Sequence, residues 1–384
     1  MRRPTIVQFN LSPTLGGAEV YTAFFSRALE SRGWRTRVVV NPVATFWNGL
    51  DFGAVSRVNF DAAAGALSPG EVALVHSPLP AAALAGLAGE RVIGVAHQTL
   101  YDGKRPAYYD RADMMLAVSR HVIDSLLRNG LRHVYPTPLY GVADLQRGDA
   151  AGLTGQGPLF DVDARKPRDR LLGVLDRARR ALASPQSYRR LPGFTLGIVS
   201  RLAPLKQFPV LFEYLAPILA RQHDLNVEVF GSAVGYRTLR ELRRALRPMG
   251  SRVRYWGHQR DIVSAYGAID YLLTGLPERE ALGLNALEAC LAGTPVLAVA
   301  APPFTETLKH GATGFLYADP RTDAGADFER VLRGIRSGTL VPNRAAAALH
   351  LEGFAFPRFA DRVDGVLREI TADTGRNMLP TGRD

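Results

Sequence analysis

The feature that most restricts this chain is a recurrence of short, uniformly apolar runs, each followed by a stretch of helical character. In the first half they are TIVQFN (5–10), RTRVVVNP (35–42), VALVHSP (72–78), RVIGVAHQ (91–98) and MMLAVS (114–119). They do not alternate polar with apolar residues, so each expected strand must be buried on both faces. Between the first two, GAEVYTAFFSRALESRG (17–33) reads as an amphipathic helix closed by glycine. Strands of this kind separated by helices argue a parallel sheet covered on both sides. The second half repeats the scheme: FTLGIVS (194–200), a helix at 207–222, NVEVFG (226–231), an Arg-rich helix, RVRYWG (252–257), a helix at 260–268, DYLLTG (270–275), a helix opening near Gly283, and TPVLAV (294–299). At 384 residues the chain is too long for one ordinary core. The expected fold class is α/β, with two domains of similar size on parallel sheets.

The first domain is expected over 1–188 and the second over 189–355. Within the first, 148–188 reads as a linker or insertion, because GDAAGLTGQGPLFDVDARKPRDR (148–170) is rich in Gly, Asp and Arg without periodicity, and a helix at 169–184 follows. An amphipathic helix over 356–375 has a face to dock on either domain, and the tail after 376 is expected to fray. With 47% hydrophobic and 22% charged residues, the composition is that of a soluble globular protein. The small-apolar run PAAALAGLAG (80–89) is too short to cross a bilayer, and the first residues enter a strand without a signal-peptide h-region. The single cysteine, Cys290, excludes an intramolecular disulfide. A cytoplasmic setting is expected.

The net charge of +11 asks for a partner. Arginines gather in RKPRDR (165–170), RARR (177–180) and RTLRELRRALR (237–247). An anionic membrane surface or a phosphorylated substrate suits such clusters, and a solvated helix face explains any one of them equally well. No aromatic residues interleave with them, and no zinc-finger, RRM or helix-turn-helix pattern occurs, so nucleic acid is not an expected partner.

In open parallel sheets ligands sit beyond the carboxyl ends of the strands. That rule selects NLSPTLGGAE (10–19), the residues from His97 onward, SRLAPLK (200–206), GSAVG (231–235) and LPEREALG (276–283), which two facing domains would bring to one central cleft. Gly16 and Gly17 open a helix where backbone N–H groups can approach a phosphate, although a structural turn explains them as well. Arg201 and Lys206 suit a diphosphate leaving group, against the plain alternative of two solvated cations among 47. His97 reads either as a satisfied edge histidine or as a ligand contact. No His/Cys/Asp spacing supports a metal site. In EREALGLNALEACLAGTPV (278–296), Gly283 marks a helix start, with Glu280 in the loop before it and Glu288 inside. The amides of Leu284 and Asn285 would then stand free between two carboxylates that accept from hydroxyls. A nucleotide-sugar, with phosphates between a ribose and a hexose, matches that arrangement, and capping of the helix by the acids would be a secondary benefit.

These residues resemble the retaining glycosyltransferases of family 4, which have the GT-B fold of two Rossmann-like domains facing a central cleft. The family's E-x7-E element resembles Glu280 to Glu288, its phosphate clamp SRLAPLK, its N-terminal glycine loop LGGAE (15–19) and its histidine motif AHQ. Its P-E-x-x-x-x-G-x-x-G-x-L segment resembles TETLKHGATGFLY (305–317), so the likeness runs from about 5 to 370. Departures are Leu282 for the usual Phe, Ser200 for Gly, and YGVAD (140–144) for N-G-V-D near the hinge. The resemblance implies an N-terminal acceptor domain, a C-terminal donor domain and a last helix that crosses back to the N-terminal domain. Arg201 and Lys206 would hold the donor diphosphate, with Gly16 and Gly17 approaching it. Glu288 would accept from the ribose, Glu280 and His97 would contact the transferred sugar as the catalytic pair, and the amides of Leu284 and Asn285 would bind sugar or phosphate. It further implies an NDP-sugar co-substrate (UDP- or GDP-sugar), no other cofactor, no metal, and a glycan or lipid-linked acceptor at the inner face of the cytoplasmic membrane. A nucleotide-sugar 2-epimerase and a non-catalytic module on an anionic membrane are the alternatives.

Overall fold

The computed structural model of the protein describes residues 3–53, 56–59, 67–142 except 102 and 104, 145, 153–155, 162–163, 169, 173–174 and 186–372. The expected linker 148–170, the helix at 169–184, the clusters RKPRDR and RARR and the tail after 376 lie wholly or mostly outside them. The chain divides into two compact units, one made of Met1–Val142 and Glu352–Asp384, the other of Ala143–Leu351.

Six parallel strands form the sheet of the first unit: β1 (Thr5–Asn10), β2 (Thr36–Val40), β3 (Ser56–Asn59), β4 (Glu71–Val75), β5 (Val92–Ala96) and β6 (Met114–Ala117). Their order is β3-β2-β1-β4-β5-β6, so the winding reverses between β1 and β4. That reversal splays the connections apart and leaves a crevice at the carboxyl ends of the strands. Helix α1 (Gly17–Ser31) covers one face through Tyr21, Phe25, Ala28 and Leu29, spaced at three and four residues as one helical stripe. Helix α2 (Arg120–Arg128) starts where Ser119 accepts a hydrogen bond from Val122 N–H. The C-terminal helix, Phe356–Ala372, buries Phe359, Ala360, Val363, Val366, Leu367 and Ile370. It packs on α1: the Phe359 ring stands edge-on to Tyr21 at 5.3 Å, and Asp364 accepts from Trp34 Nε1 at 2.8 Å.

The second unit repeats the topology with β7 (Phe194–Val199), β8 (Leu225–Phe230), β9 (Val253–Gly257), β10 (Tyr271–Leu273), β11 (Val296–Val299) and β12 (Gly314–Tyr317). Their order is β9-β8-β7-β10-β11-β12, again all parallel. Successive strand residues enter opposite cores. Leu196, Ile198, Leu273 and Leu297 pack with α3 (Phe208–Ala220) and α6 (Ala326–Arg336). Val199, Leu272, Val296 and Ala298 pack with Tyr266, Phe304 and the buried alanines of α5 (Leu284–Leu291). This two-sided burial is the reason the strands carry no polar alternation. The Arg-rich α4 (Gly235–Ala245) buries Thr238, Leu239 and Leu242 and turns Arg237, Arg240, Arg243 and Arg244 to solvent.

The units part at Val142/Ala143, not at the 188/189 boundary expected from the sequence. Residues beyond 142 join the second unit by direct contact: Leu153 enters its core, and Val162–Asp163 pairs with Ala233–Val234. Strands β3 and β12 and helix α6 have no counterpart among the sequence-predicted elements.

Candidate functional site

In the second unit the candidate residues converge at the carboxyl edge of the sheet. Beyond β7, Arg201 is half-buried and a short turn, Pro204–Lys206, leads into α3. The loop after β10 packs on that turn. Leu276 N–H donates to the Lys206 carbonyl at 3.2 Å, and a Cβ at Gly275 would stand 2.0 Å from the same oxygen. Only glycine permits this approach. It places the Lys206 ammonium against the buried Glu280 carboxylate as an ion pair. Glu280 also accepts from the N–H groups of Ala281 at 3.2 Å and Gly283 at 3.3 Å. Burial alone would raise the Glu280 carboxyl; the Lys206 charge and the two amides outweigh it and hold the group below the usual carboxylate range.

Gly283 has φ of 76°, and a Cβ there would meet the Phe304 ring at 2.8 Å, so the start of α5 is also a glycine position. Asn285 ties this end of α5 to the end of β7, its side-chain amide donating to Val199 O at 3.1 Å. The first-turn N–H groups of Leu284 and Asn285 are among those a helix leaves without an intrahelical acceptor. Glu288 lies farther along the helix and accepts from the Tyr266 hydroxyl at 2.8 Å. Burial raises its carboxyl, and the Tyr266 hydrogen bond and the Lys206 charge only partly oppose that. One ammonium therefore acts on both acids. Capping, expected of these acids, is absent: α5 has no side-chain cap. Glu280 turns back on the loop, and the exposed Glu278 pairs with Arg321 and accepts from Gln207. The side chains here are already committed to each other, which is why none is free to cap.

In the first unit, Gly16 precedes α1 in an extended conformation and Gly17 is its first residue. The loop between β1 and α1 is anchored by Leu11 N–H donating to Ser77 Oγ at 2.7 Å and by Asn41 donating to Leu11 O at 3.2 Å. Glu19, in the first turn of α1, is buried, and burial raises its carboxyl against hydrogen bonds from Ser12, Asn10 and backbone amides. His97 follows β5 and is half-buried. Its Nε2 lies 3.1 Å from Nδ1 of His76, the residue that follows β4, and the Tyr21 ring stands edge-on to it at 5.0 Å. Burial pushes the His97 imidazole down to about 3 and drives His76 well below its ordinary value. Both rings are neutral at physiological pH. Sequence reasoning missed His76 and Glu19. A polar residue at the end of a buried strand was the available signal for the first.

Thus Gly16, Gly17 and His97 lie beyond the carboxyl ends of strands of the first sheet, and Arg201, Lys206, Glu280, Leu284, Asn285 and Glu288 beyond those of the second. Among the described residues no group of three or more His, Cys, Asp or Glu is arranged to hold a metal ion, and no helix is long and apolar enough to cross a membrane.

The segment that carries the second of these groups matches a known family model. Residues 184–333 match the family model for glycosyl transferases group 1. That span holds all six of the second unit's candidates. A D-inositol 3-phosphate glycosyltransferase of Rhodococcus jostii is 33% identical over 175 residues, which cover 42% of this chain and 37% of the relative. One from Actinosynnema mirum is 31% identical over 226 residues, 56% of this chain and 51% of the relative. The chain thus matches about a third to a half of the length of these curated relatives. Among solved structures, that of Anabaena Alr3699/HepE in complex with UDP and glucose superimposes with a TM-score of 0.67 at 19% identity, covering 96% of this chain and all of the other. The chain has the GT-B fold. Its two α/β units on parallel sheets are the architecture expected from the sequence.

Proposed function

We propose that the protein is a retaining, metal-independent glycosyltransferase that moves a sugar from a UDP- or GDP-sugar to a hydroxyl of a glycan acceptor, in bacterial polysaccharide or glycolipid assembly. The observation that carries this reading is the cluster of Lys206, Glu280 and Glu288 around the first turn of α5, inside the segment that matches the group 1 glycosyl transferases. In this reading Arg201 and Lys206 offset the charge that builds on the departing diphosphate, which is the work a cation would otherwise do. Glu288 accepts from the ribose, Glu280 and His97 hold the transferred sugar, and the amides of Leu284 and Asn285 add donors at a helix N-terminus. Gly16 and Gly17 let the backbone approach the phosphates. The acceptor hydroxyl attacks on the face the leaving group occupies, a diphosphate oxygen takes its proton, and the anomeric configuration is kept. The exposed arginines of α4 offer a face for an anionic lipid surface, consistent with a lipid-linked acceptor at the inner face of the cytoplasmic membrane. The complex of Alr3699/HepE with UDP and glucose supports a UDP-sugar as the first donor to try.

A thermal-shift panel of UDP, GDP, ADP and their sugars tests the central point. At least one nucleotide should raise the melting temperature, and Arg201→Ala should weaken its binding by about 1.5–3 kcal/mol, the range for a charged hydrogen bond. A panel with no shift, or a variant with unchanged affinity, rejects the clamp. Product analysis after incubation with a nucleotide-sugar alone separates transfer from epimerisation.

A further inference from the structure

A chain of hydrogen bonds beneath the first sheet's carboxyl edge determines which nitrogen of His97 carries the proton. Ser26 Oγ gives its only proton to Thr22 O at 2.8 Å, and Thr36 Oγ1 gives its own to Ile6 O at 2.9 Å. Toward Gln8 both hydroxyls are therefore acceptors, and the Gln8 side-chain nitrogen lies 2.9 and 3.1 Å from them. Its two protons are spent there. The other atom of the amide, Oε1, faces His76 Nε2 at 3.2 Å and can only accept, so that nitrogen carries the hydrogen. A neutral imidazole has one N–H. His76 Nδ1 is consequently bare, and it lies 3.1 Å from His97 Nε2, which must be the donor. By the same count His97 Nδ1 is left as a lone pair, and among the described residues nothing hydrogen-bonds to it.

We infer that Gln8 and His76 are positioning residues that lock His97 in the Nε2–H tautomer, so that Nδ1 is offered as a hydrogen-bond acceptor to a sugar hydroxyl of the bound ligand. The hydroxyl as partner rests on the glycosyltransferase reading above; the tautomer does not. Surroundings keep both rings uncharged: Tyr21 and Phe25 pack edge-on against them, and Tyr21 spends its own hydroxyl on Leu139 O. The arrangement also selects. A hydroxyl can donate to Nδ1, whereas a carboxylate or a fluorine in the same place would face a lone pair with another lone pair.

The test is side-chain 15N NMR of the histidine-labelled full chain at pH 7.5, with resonances assigned through His76→Asn and His97→Asn. Both rings should be neutral Nε2–H tautomers. In Gln8→Leu and His76→Leu, His97 should shift toward a tautomer mixture. An imidazolium, or Nδ1–H on His97 in the unsubstituted chain, overturns the inference without any variant having to fold. With UDP-glucose and UDP-galactose as donor probes, His76→Leu should lower kcat about tenfold, the value of one hydrogen bond in the transition state, while KM moves less than about twofold. Turnover with the wrong tautomer sinks the inference alone. Correct tautomers with no turnover of any nucleotide-sugar sink the glycosyltransferase reading, and the hydroxyl partner with it.

Discussion

Removing both partners of the Lys206–Glu280 pair should cost far less than the sum of the two single removals. The carboxylate is buried by the loop that follows β10, and the two side chains retain 19% and 11% exposure. Two unit charges 4 Å apart attract by about 4 kcal/mol at an effective dielectric near 20, and breaking a fully buried pair costs about 3–5 kcal/mol. Discounting for the remaining exposure, Lys206→Met and Glu280→Gln should each destabilise the second unit by about 2–3 kcal/mol at pH 7. The double substitution should lose little more than either single one, a coupling of about 2 kcal/mol. The sign of titration should invert as well. Glu280 now lies below the ordinary carboxylate value, so its stabilisation is present above about pH 4.5 and is lost as pH falls through its folded value. Without Lys206, burial dominates and the carboxyl should move above that value. Urea unfolding followed by 19F NMR of 5-fluorotryptophan suits the measurement, because of the three tryptophans only Trp256 belongs to the second unit. Single losses that simply add, with coupling below about 0.5 kcal/mol, would refute the idea that the pair sets the local charge balance.

Other consequences can be tested on the same protein. Gly275→Ala would force the Lys206 carbonyl back by about 1 Å from a 2.0 Å clash, costing about 1–3 kcal/mol and weakening nucleotide binding at least tenfold; unchanged affinity in a thermal-shift titration would show the close approach to be incidental. The first unit should lose stability as pH falls below 6.5. His76 and His97 sit below that value in the folded state, so the unfolded chain takes up protons first, at up to about 1.4 kcal/mol per pH unit for each ring. The 5-fluorotryptophan signals of Trp34 and Trp47 report it, and a flat profile from pH 7 to 5 would contradict burial of neutral rings.

Most strands, the two-sheet plan and the helix start at Gly283 were legible because each rests on local pattern: apolar runs and a glycine before a helix. What escaped depended on sheet order. His76 and His97 lie 21 residues apart and meet only because β4 neighbours β5. Glu228 in the buried β8 is satisfied from the next strand, by Arg254 and by Trp256 Nε1 at 2.6 Å, and no spacing rule anticipates that. The edge strand β3, SRVN, carries too little apolar character to register as a strand at all. The division at Val142 was hidden because Val162–Asp163 joins Ala233–Val234 through a two-residue pairing too short to leave a periodicity.

The return of the C-terminal helix to α1 has a consequence for how the chain is made. The first unit is assembled from two ends of the sequence, with the second inserted between them. At about 5–20 residues per second, the roughly 200 residues of the insert take about 10–40 s to emerge. Through that interval Tyr21 and Phe25 lack the Phe359 ring that covers them. The second unit, continuous in sequence, can finish first. A ribosome-bound chain halted at residue 351 should therefore hold a protease-resistant second unit and a first unit that still presents an apolar groove along α1.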